Sequence, residues 1–214
     1  MPPTLVTVAV GVLLGVALLG PAFDRWSLAV VAVAAALPDL DAVLSLWIHG
    51  ATNAALHSIF IPAGAAAVLY WDTHREASWL RARYGWYGVR VAWVAVAAYA
   101  VAGIGLDLFN ISSAAVLYPA SDRYFAIVGK LVLSTQDGVV QSYLAFGDGW
   151  LEHLTRGTTD TRHIETWINP TPGPSNPPDA NRTIRLVDAG WQAVVVATAV
   201  AAVPARAVVA RRDR

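Results

Sequence analysis

The sequence predicts an all-α integral membrane protein: a helical bundle of about five transmembrane helices, with an extracytoplasmic segment between the last two. Two observations predict this class. Hydrophobic residues make up 56% of the 214 residues and charged residues only 14%, whereas a soluble domain is about a quarter charged. The apolar residues are also gathered into long stretches. Fifteen basic and fifteen acidic residues cancel, so the net charge gives no reason to expect a nucleic-acid partner.

Five apolar stretches qualify as spans, some of them marginally, because about 20 apolar residues are needed to cross the hydrocarbon core of a bilayer. They are Thr4 to Leu19, Trp26 to about Ile48, about Ala54 to Trp71, Val89 to Phe109 and about Val187 to Val203. The first stretch resembles a cleaved signal peptide in length. No Lys or Arg precedes it, however, so a retained helix is favoured.

Basic residues set the predicted orientation, since cytoplasmic loops carry an excess of Lys and Arg. Arginines are concentrated in residues 72–90 and in the C-terminal tail, which places both in the cytoplasm and, with five spans, the N-terminus outside. The protein is then a multi-pass protein of the cell membrane, in contact with the lipid bilayer. Residues 1–109 hold the first four spans, 110–186 form the extracytoplasmic segment, and 187–214 hold the last span and the tail. A single lysine and a large excess of Asp over Glu indicate GC-rich, prokaryotic coding.

The extracytoplasmic segment contains structure of its own. Residues 126–146 combine β-branched residues with a Gln-Asp-Gly turn signal, which is typical of a hairpin, although an interfacial helix is the alternative. Asn169 to Thr183 is rich in Pro, Gly, Asn and Ser and predicts an extended linker. Trp150 and Trp167 are expected at the level of the lipid headgroups.

Five polar residues are predicted to lie on the same side of the membrane at similar depth. Asp39 and Asp41 belong to the outer half of the second span, His57 to the start of the third and Asp107 to the end of the fourth, while His49 lies in the short outer loop. A charged side chain inside a bilayer costs at least a few kcal/mol, so such residues usually mark a functional site.

A divalent metal ion, zinc or manganese, is the cofactor that this set of residues suits, because carboxylates and imidazoles bind both. A cation would also neutralise carboxylates that otherwise repel each other. Pro38 interrupts the hydrogen bonding of its helix and lets Asp39 and Asp41 both turn inward. The alternative is a structural network in which an Asp caps a helix restarting after Pro38 and His57 bonds a neighbouring helix. No catalytic residue can be assigned from the pattern.

Three motifs in this order resemble those of the YdjM-like family of inner-membrane, metal-dependent hydrolases. The family pattern runs P-D-x-D, then H-R-x-x-T-H-S, then H-x-x-x-D. The matching residues are Pro38 to Asp41, His57-Ser58 and Leu106-Asp107, and Leu117 to Ile127 resembles the region that follows. The resemblance covers about Val30 to Phe146 and implies that fold, a metal site and hydrolase chemistry.

The sequence departs from the family pattern at four positions. Thr52-Asn53 stands where the family has His-Arg, Leu56 replaces the Thr before His-Ser, and Gly103 replaces the His four positions before Asp107. His49 could substitute for a missing His if the loop refolds.

Two functions follow from these observations, and a third is weaker. The first is a membrane-bound metal-dependent hydrolase acting on a lipid or lipid-linked ester. The second is a non-catalytic scaffold of the same fold that presents its outer segment to a protein partner or a cell envelope layer. A transporter with a proton path along the carboxylates is less favoured, because the chain has no inverted repeat.

Overall fold

The computed structural model describes residues 2–143, 154–172 and 177–212. Trp150 and residues 173–176 of the expected linker lie outside the described residues. Within them, five helices of ten residues or more form the body of the protein, together with two short ones. The helices are α1 (Thr4–Leu18), α2 (Arg25–Ala36), α3 (Asp41–Leu44), α4 (Phe60–His74), α5 (Trp79–Ala98), α6 (Leu106–Leu108) and α7 (Gly190–Arg212).

The prediction of an all-α bundle of about five transmembrane helices is wrong. In the described residues only three helical stretches are long and apolar enough to cross a membrane, namely Arg25–Leu44, Trp79–Leu108 and Gly190–Ala210. Helix α1 is apolar but has only 15 residues, because the chain turns at Gly20 and Pro21. Helix α4 also has 15 residues, because residues 49–59, which the prediction partly included in the third span, form turns and not a helix.

Two small antiparallel sheets also contradict the all-α prediction. Strands β1 (Arg123–Phe125) and β4 (Thr155–Thr158) form one sheet, and β2 (Leu131–Ser134) and β3 (Gly138–Gln141) form the other. In the second sheet Val132 pairs with Val140 around the predicted Gln-Asp-Gly turn. The hairpin expected in this region is therefore confirmed, and the interfacial helix is excluded there.

The core of the helical part is made by close packing of α1, α2 and α5. Helix α1 packs against α2 and α7, while α2 also contacts α5 and the turn that follows α5. Small residues let the helices approach closely: a Cβ on Gly11 would lie 2.4 Å from the Cβ of Ala35. This is the packing that small residues provide in membrane helices. The buried cluster comprises Leu19, Ala22, Val31, Ala35, Val91, Val94, Ala98 and Ala102.

Helices α4 and α5 form a helical hairpin joined by a tight, polar turn. The Asp72 carboxylate accepts hydrogen bonds from the Ser78 hydroxyl and from the backbone N–H groups of Trp79 and Leu80. The hydrogen bond from Ser78 is the main reason that the pKa of Asp72 lies below its usual value. The first turn of α5 therefore begins with a satisfied cap. Helix α5 kinks at Gly85, where φ is +63°.

Two irregular helical turns position the polar residues. Leu37–Leu40 is a 3₁₀ turn between α2 and α3, and Tyr99–Gly105 is a π-helical turn between α5 and α6. The two turns touch: a Cβ on Gly103 would lie 2.5 Å from the ring of Pro38. A histidine at position 103 would therefore require the turn that contains Pro38 to shift in this chain.

Candidate metal centre

Asp39 and Asp41 both point into the protein. Asp39 lies in the 3₁₀ turn that contains Pro38, and Asp41 is the first residue of α3. The side chains are 8% and 0% exposed, respectively. Two residues two positions apart on a regular α-helix would point in different directions. The change from α-helical to 3₁₀ winding at Pro38 is what brings both carboxylates to the interior.

His57 reaches these carboxylates from the irregular segment before α4. Its Nδ1 lies 2.7 Å from Oδ2 of Asp41, and the backbone N–H of Ala54 donates to the same oxygen at 3.1 Å. The Tyr99 hydroxyl holds this segment from the other side by donating to the carbonyl of Leu56. The imidazole is completely buried, so its orientation is fixed.

Asp107 completes the group from α6. Its Oδ2 lies 3.2 Å from Nε2 of His57, and its Oδ1 accepts a hydrogen bond of 2.7 Å from Nδ2 of Asn53. The π-helical turn before α6 adds a residue to the helical repeat, and such turns are frequent at functional sites. The turn thereby brings the Asp107 carboxylate to an imidazole that is 50 positions away in the sequence.

Three of these side chains have the arrangement of a metal site. One ligand atom each from Asp39, His57 and Asp107 lie within 4.8 Å of one another, and all three residues are buried. Neither buried oxygen of Asp39 has a partner at hydrogen-bond geometry among the described residues, although the Thr4 side chain stabilises the charge of this carboxylate. A buried carboxylate normally has partners, and a cation held between these three side chains would supply one.

Asp41 has a different position from the other predicted ligands. Its Oδ2 is already occupied by His57 Nδ1 and the Ala54 N–H. A carboxylate on Nδ1 keeps the ring proton there and directs the Nε2 lone pair toward a metal, an arrangement common in metal sites. Asp41 therefore orients the imidazole in this structure.

The charges of the group favour a cation. Three carboxylates and one imidazole share one buried region, so even a protonated His57 leaves an excess of negative charge. Such an excess is costly where water does not screen it. A divalent ion would offset most of it without moving any of the side chains away from the interior.

His49 is not brought to this group. It is exposed in the turn after α3, where it lines a separate cavity together with Trp47, Thr52 and Arg162. Of the five predicted site residues, the structure thus gathers Asp39, Asp41, His57 and Asp107 and leaves His49 outside.

Two residues that hold the site together were not predicted as part of it. Asn53 is completely buried and donates from Nδ2 both to Asp107 and to the carbonyl of Ser113, at 3.0 Å. Tyr124 donates from its hydroxyl to the carbonyls of Gly50 and Thr52. One signal in the sequence marks Asn53, namely that it stands where the family pattern has Arg. No pattern in the sequence marks Tyr124, because the carbonyls that it bonds are 72 and 74 positions away.

The Tyr124 hydroxyl keeps its proton. Burial is the main cause that raises the pKa of Tyr124 well above its usual value, and the nearby Asp41 carboxylate raises it further. The hydroxyl therefore acts as a donor at any physiological pH. It fixes the turn of residues 50–52 immediately before Asn53.

Replacing Asn53 should test how much this support contributes. Asn53→Gly is expected to lower the free energy of unfolding by about 1–3 kcal/mol, because Asp107 and the Ser113 carbonyl lose a buried donor. Asn53→Ala should cost about 1 kcal/mol more, since residue 53 has a φ of +54°, which Gly adopts more easily than Ala. Denaturation with SDS in mild detergent measures both changes.

The exposed Asn181 provides the control for these variants. Asn181→Ala should leave the unfolding transition where it is in the unaltered protein. Equal stability of the Asn53 variants and the unaltered protein would contradict the supporting role of Asn53.

Comparison with known families identifies the family of this chain. The model of the YdjM inner membrane protein family matches residues 3–167, which is more than three quarters of the chain. The chain belongs to the YdjM inner membrane protein family. No curated protein and no solved structure matches it.

The family match confirms the resemblance that the motifs predicted and extends it. The resemblance was expected to cover about Val30 to Phe146, whereas the match also includes α1 and the outer segment as far as Trp167. The last helix, the linker before it and the tail lie beyond the match. The protein is therefore an inner membrane protein of this family with a buried Asp–His–Asp group that can hold a metal.

Proposed function

We propose that this member of the YdjM inner membrane protein family is a metal-dependent hydrolase that acts on a lipid or lipid-linked ester. The observation that carries the proposal is the Asp39 carboxylate, which has no partner at hydrogen-bond geometry among the described residues and is buried within 4.8 Å of ligand atoms of His57 and Asp107. A purely structural network would be expected to satisfy both oxygens of such a residue.

Asp39, Asp107 and Nε2 of His57 would hold the ion, and their oxygen and nitrogen donors suit Zn²⁺ or Mn²⁺. When bound, such an ion polarises an ester and lowers the pKa of a water molecule. The chain itself orients the ligands: Asp41 fixes the proton of His57 on Nδ1, and Asn53 holds one oxygen of Asp107. With three protein ligands, the ion would keep a position open for water or substrate.

The surroundings of Asp39 favour a lipid substrate. Asp39 is the most exposed of the four gathered side chains, and its neighbours Leu37 and Leu40 are 39% and 51% exposed. An apolar surface beside the one open edge of the group suits a substrate that approaches from the membrane.

Metal content and ester hydrolysis together test the proposal. The purified protein should carry about one Zn²⁺ or Mn²⁺ per chain by elemental analysis. It should release product from short-chain phospholipid esters, lose that activity on dialysis against a chelator and regain it with the ion. A chain that contains no metal after reconstitution, or that turns over no acyl or phosphoryl ester when fully loaded, would refute it.

We also propose that residues 110–186 lie outside the cytoplasm and that the C-terminal tail lies inside. The clustered arginines of residues 72–90 and of the tail support this orientation. The chain has no cysteine, so a maleimide can label only the cysteine that a single-cysteine variant introduces. Thr135→Cys in the hairpin turn should react with an impermeant maleimide in intact cells, and a cysteine in the tail should not; the reverse pattern would overturn the orientation.

A further inference from the structure

A polar cavity lies beside the candidate metal centre. It has a volume of about 380 Å³ and lies between the turn after α3 and the chain that follows β4. Thr52 lines it, and the next residue, Asn53, donates to Asp107. The cavity and the metal centre thus share one segment of backbone. The lining residues are Ser45, Leu46, Trp47, His49, Gly50, Thr52, Tyr124, Arg162, His163, Ile164 and Asn169.

The two walls of the cavity are held together by backbone packing. Gly50 has a φ of +70°, and a Cβ there would lie 2.4 Å from the carbonyl oxygen of Thr159. Tyr124 ties the same turn to the outer segment through its hydroxyl. The cavity is therefore a built feature of the fold.

The lining is basic and contains no carboxylate. Arg162, His163 and His49 are its basic side chains, and neither Asp nor Glu of the described part of the chain lines it. The Arg162 guanidinium donates to the carbonyls of Arg156 and Ile111, both at 2.9 Å, and these bonds fix its orientation without neutralising its charge. A fixed guanidinium is well suited to binding a phosphate.

Two lining residues, His163 and Asn169, each carry a buried side-chain atom that has no partner among the described residues. Nε2 of His163 and Oδ1 of Asn169 are both buried and unbonded, and the Asn169 side chain is 7% exposed. An imidazole nitrogen can donate to a phosphate oxygen, whereas an amide oxygen accepts from a hydroxyl. A ligand that carries a phosphate beside a hydroxyl would supply both missing partners when these two side chains turn toward it.

The rim of the cavity has the character of a membrane interface. Trp47 is 76% exposed and Leu46 is 45% exposed at its edge. Tryptophan is enriched at the level of lipid headgroups. A phosphate bound at Arg162 would then lie at the depth where the headgroup of a phospholipid occurs.

We propose that this cavity binds the phosphate of a phosphorylated ligand through Arg162, His163 and His49. The same chemistry is offered by the headgroup of an anionic phospholipid and by free phosphate. The cavity binds that phosphate whether or not the metal centre is loaded. Its use as the headgroup subsite of the hydrolase rests on the proposed function, and it narrows the substrate class to phosphorylated lipids.

Calorimetric titration of the metal-free protein in detergent with EDTA tests the proposal. The probes are inorganic phosphate, dihexanoyl phosphatidic acid and, as a neutral control, dihexanoyl glycerol. Both phosphates should bind and the neutral lipid should not. Phosphatidate binding at least tenfold tighter than inorganic phosphate identifies the lipid headgroup as the ligand, whereas equal affinities identify free phosphate.

The variants separate this site from general charge effects and from the metal centre. His49→Asp introduces a carboxylate into the lining without disturbing the bonds of Arg162, and should weaken phosphate binding at least tenfold, as should Arg162→Gln. Arg123→Gln and His74→Asp, which alter exposed residues outside the cavity, should bind as the unaltered protein does.

The Asp39→Asn variant should also bind phosphate with unchanged affinity. Phosphate binding in this cavity would therefore stand even if the proposed hydrolase function were refuted. Binding that is absent, unaffected by His49→Asp, or reduced equally by Arg123→Gln would overturn the proposal.

Discussion

Replacing Asp39 by Asn should abolish metal binding and, at the same time, stabilise the metal-free protein. Asn keeps the size of the side chain but removes the anionic ligand, so the affinity for Zn²⁺ or Mn²⁺ should fall at least about 100-fold, beyond the effect of losing a supporting residue. In the metal-free protein the same change removes a buried carboxylate that has no hydrogen-bond partner among the described residues. The free energy of unfolding should then rise by about 1 kcal/mol or more.

The opposite signs of these two effects make the experiment decisive. Metal affinity is measured by competition with a chromophoric chelator, and stability by SDS denaturation with EDTA present. Asp122→Asn, at an exposed position away from the group, should change neither quantity. If Asp39→Asn instead destabilises the metal-free protein, Asp39 belongs to a structural network and the metal hypothesis loses its main support.

Replacing Asp41 by Asn should have the reverse effect on stability. Asp41 accepts from Nδ1 of His57 at 2.7 Å, and both side chains are fully buried. Loss of one partner of a buried ion pair typically costs about 3–5 kcal/mol. The free energy of unfolding of the metal-free protein should therefore fall by about 3 kcal/mol, at the lower end of this range, because the amide of Asn keeps one hydrogen bond. Metal affinity should fall by about 10–100-fold, as expected for a residue that orients a ligand without binding the ion.

The comparison of Asp39→Asn with Asp41→Asn therefore separates a ligand from an orienting residue. Both variants are measured with the same two assays, and Asp122→Asn again serves as the control. A loss of metal affinity in Asp41→Asn as large as that in Asp39→Asn, without destabilisation, would show that Asp41 is itself a ligand and that the orientation read from the structure is incomplete.

Much of the candidate site was accessible from the sequence, because ionisable residues are rare in apolar stretches and each one is informative. Asp39, Asp41, His57 and Asp107 were predicted at one depth, and the structure brings all four together. The reason is energetic: such residues are costly in an apolar environment unless they meet one another or an ion. His49 carried no such constraint, since it lies in a loop, and the structure places it in another cavity.

The number of spans was not accessible in the same way. Residues 54–59 are apolar enough to look like the beginning of a helix, yet they form turns, because Asn53 and His57 are directed inward and the Ala54 N–H bonds Asp41. Hydropathy averages over such a segment and cannot register a hydrogen bond to a residue 13 positions away. The short strands of the outer segment were likewise only partly visible, since β1 and β4 pair across more than 30 residues.

The sequence by itself determined that this is a membrane protein and which family it resembles, and it predicted five polar residues at one depth, of which the structure gathers four. Only the tertiary structure decided their contacts: Asp41 lies on Nδ1 of His57, Asn53 donates to Asp107, and Asp39 has no hydrogen-bond partner in the part of the chain that the structure describes. It also revealed the basic cavity, whose Arg162 is more than 100 residues from His49. The physical reason is that burial cost depends on residue type and local hydropathy, whereas a partner is set by contacts between distant parts of the chain.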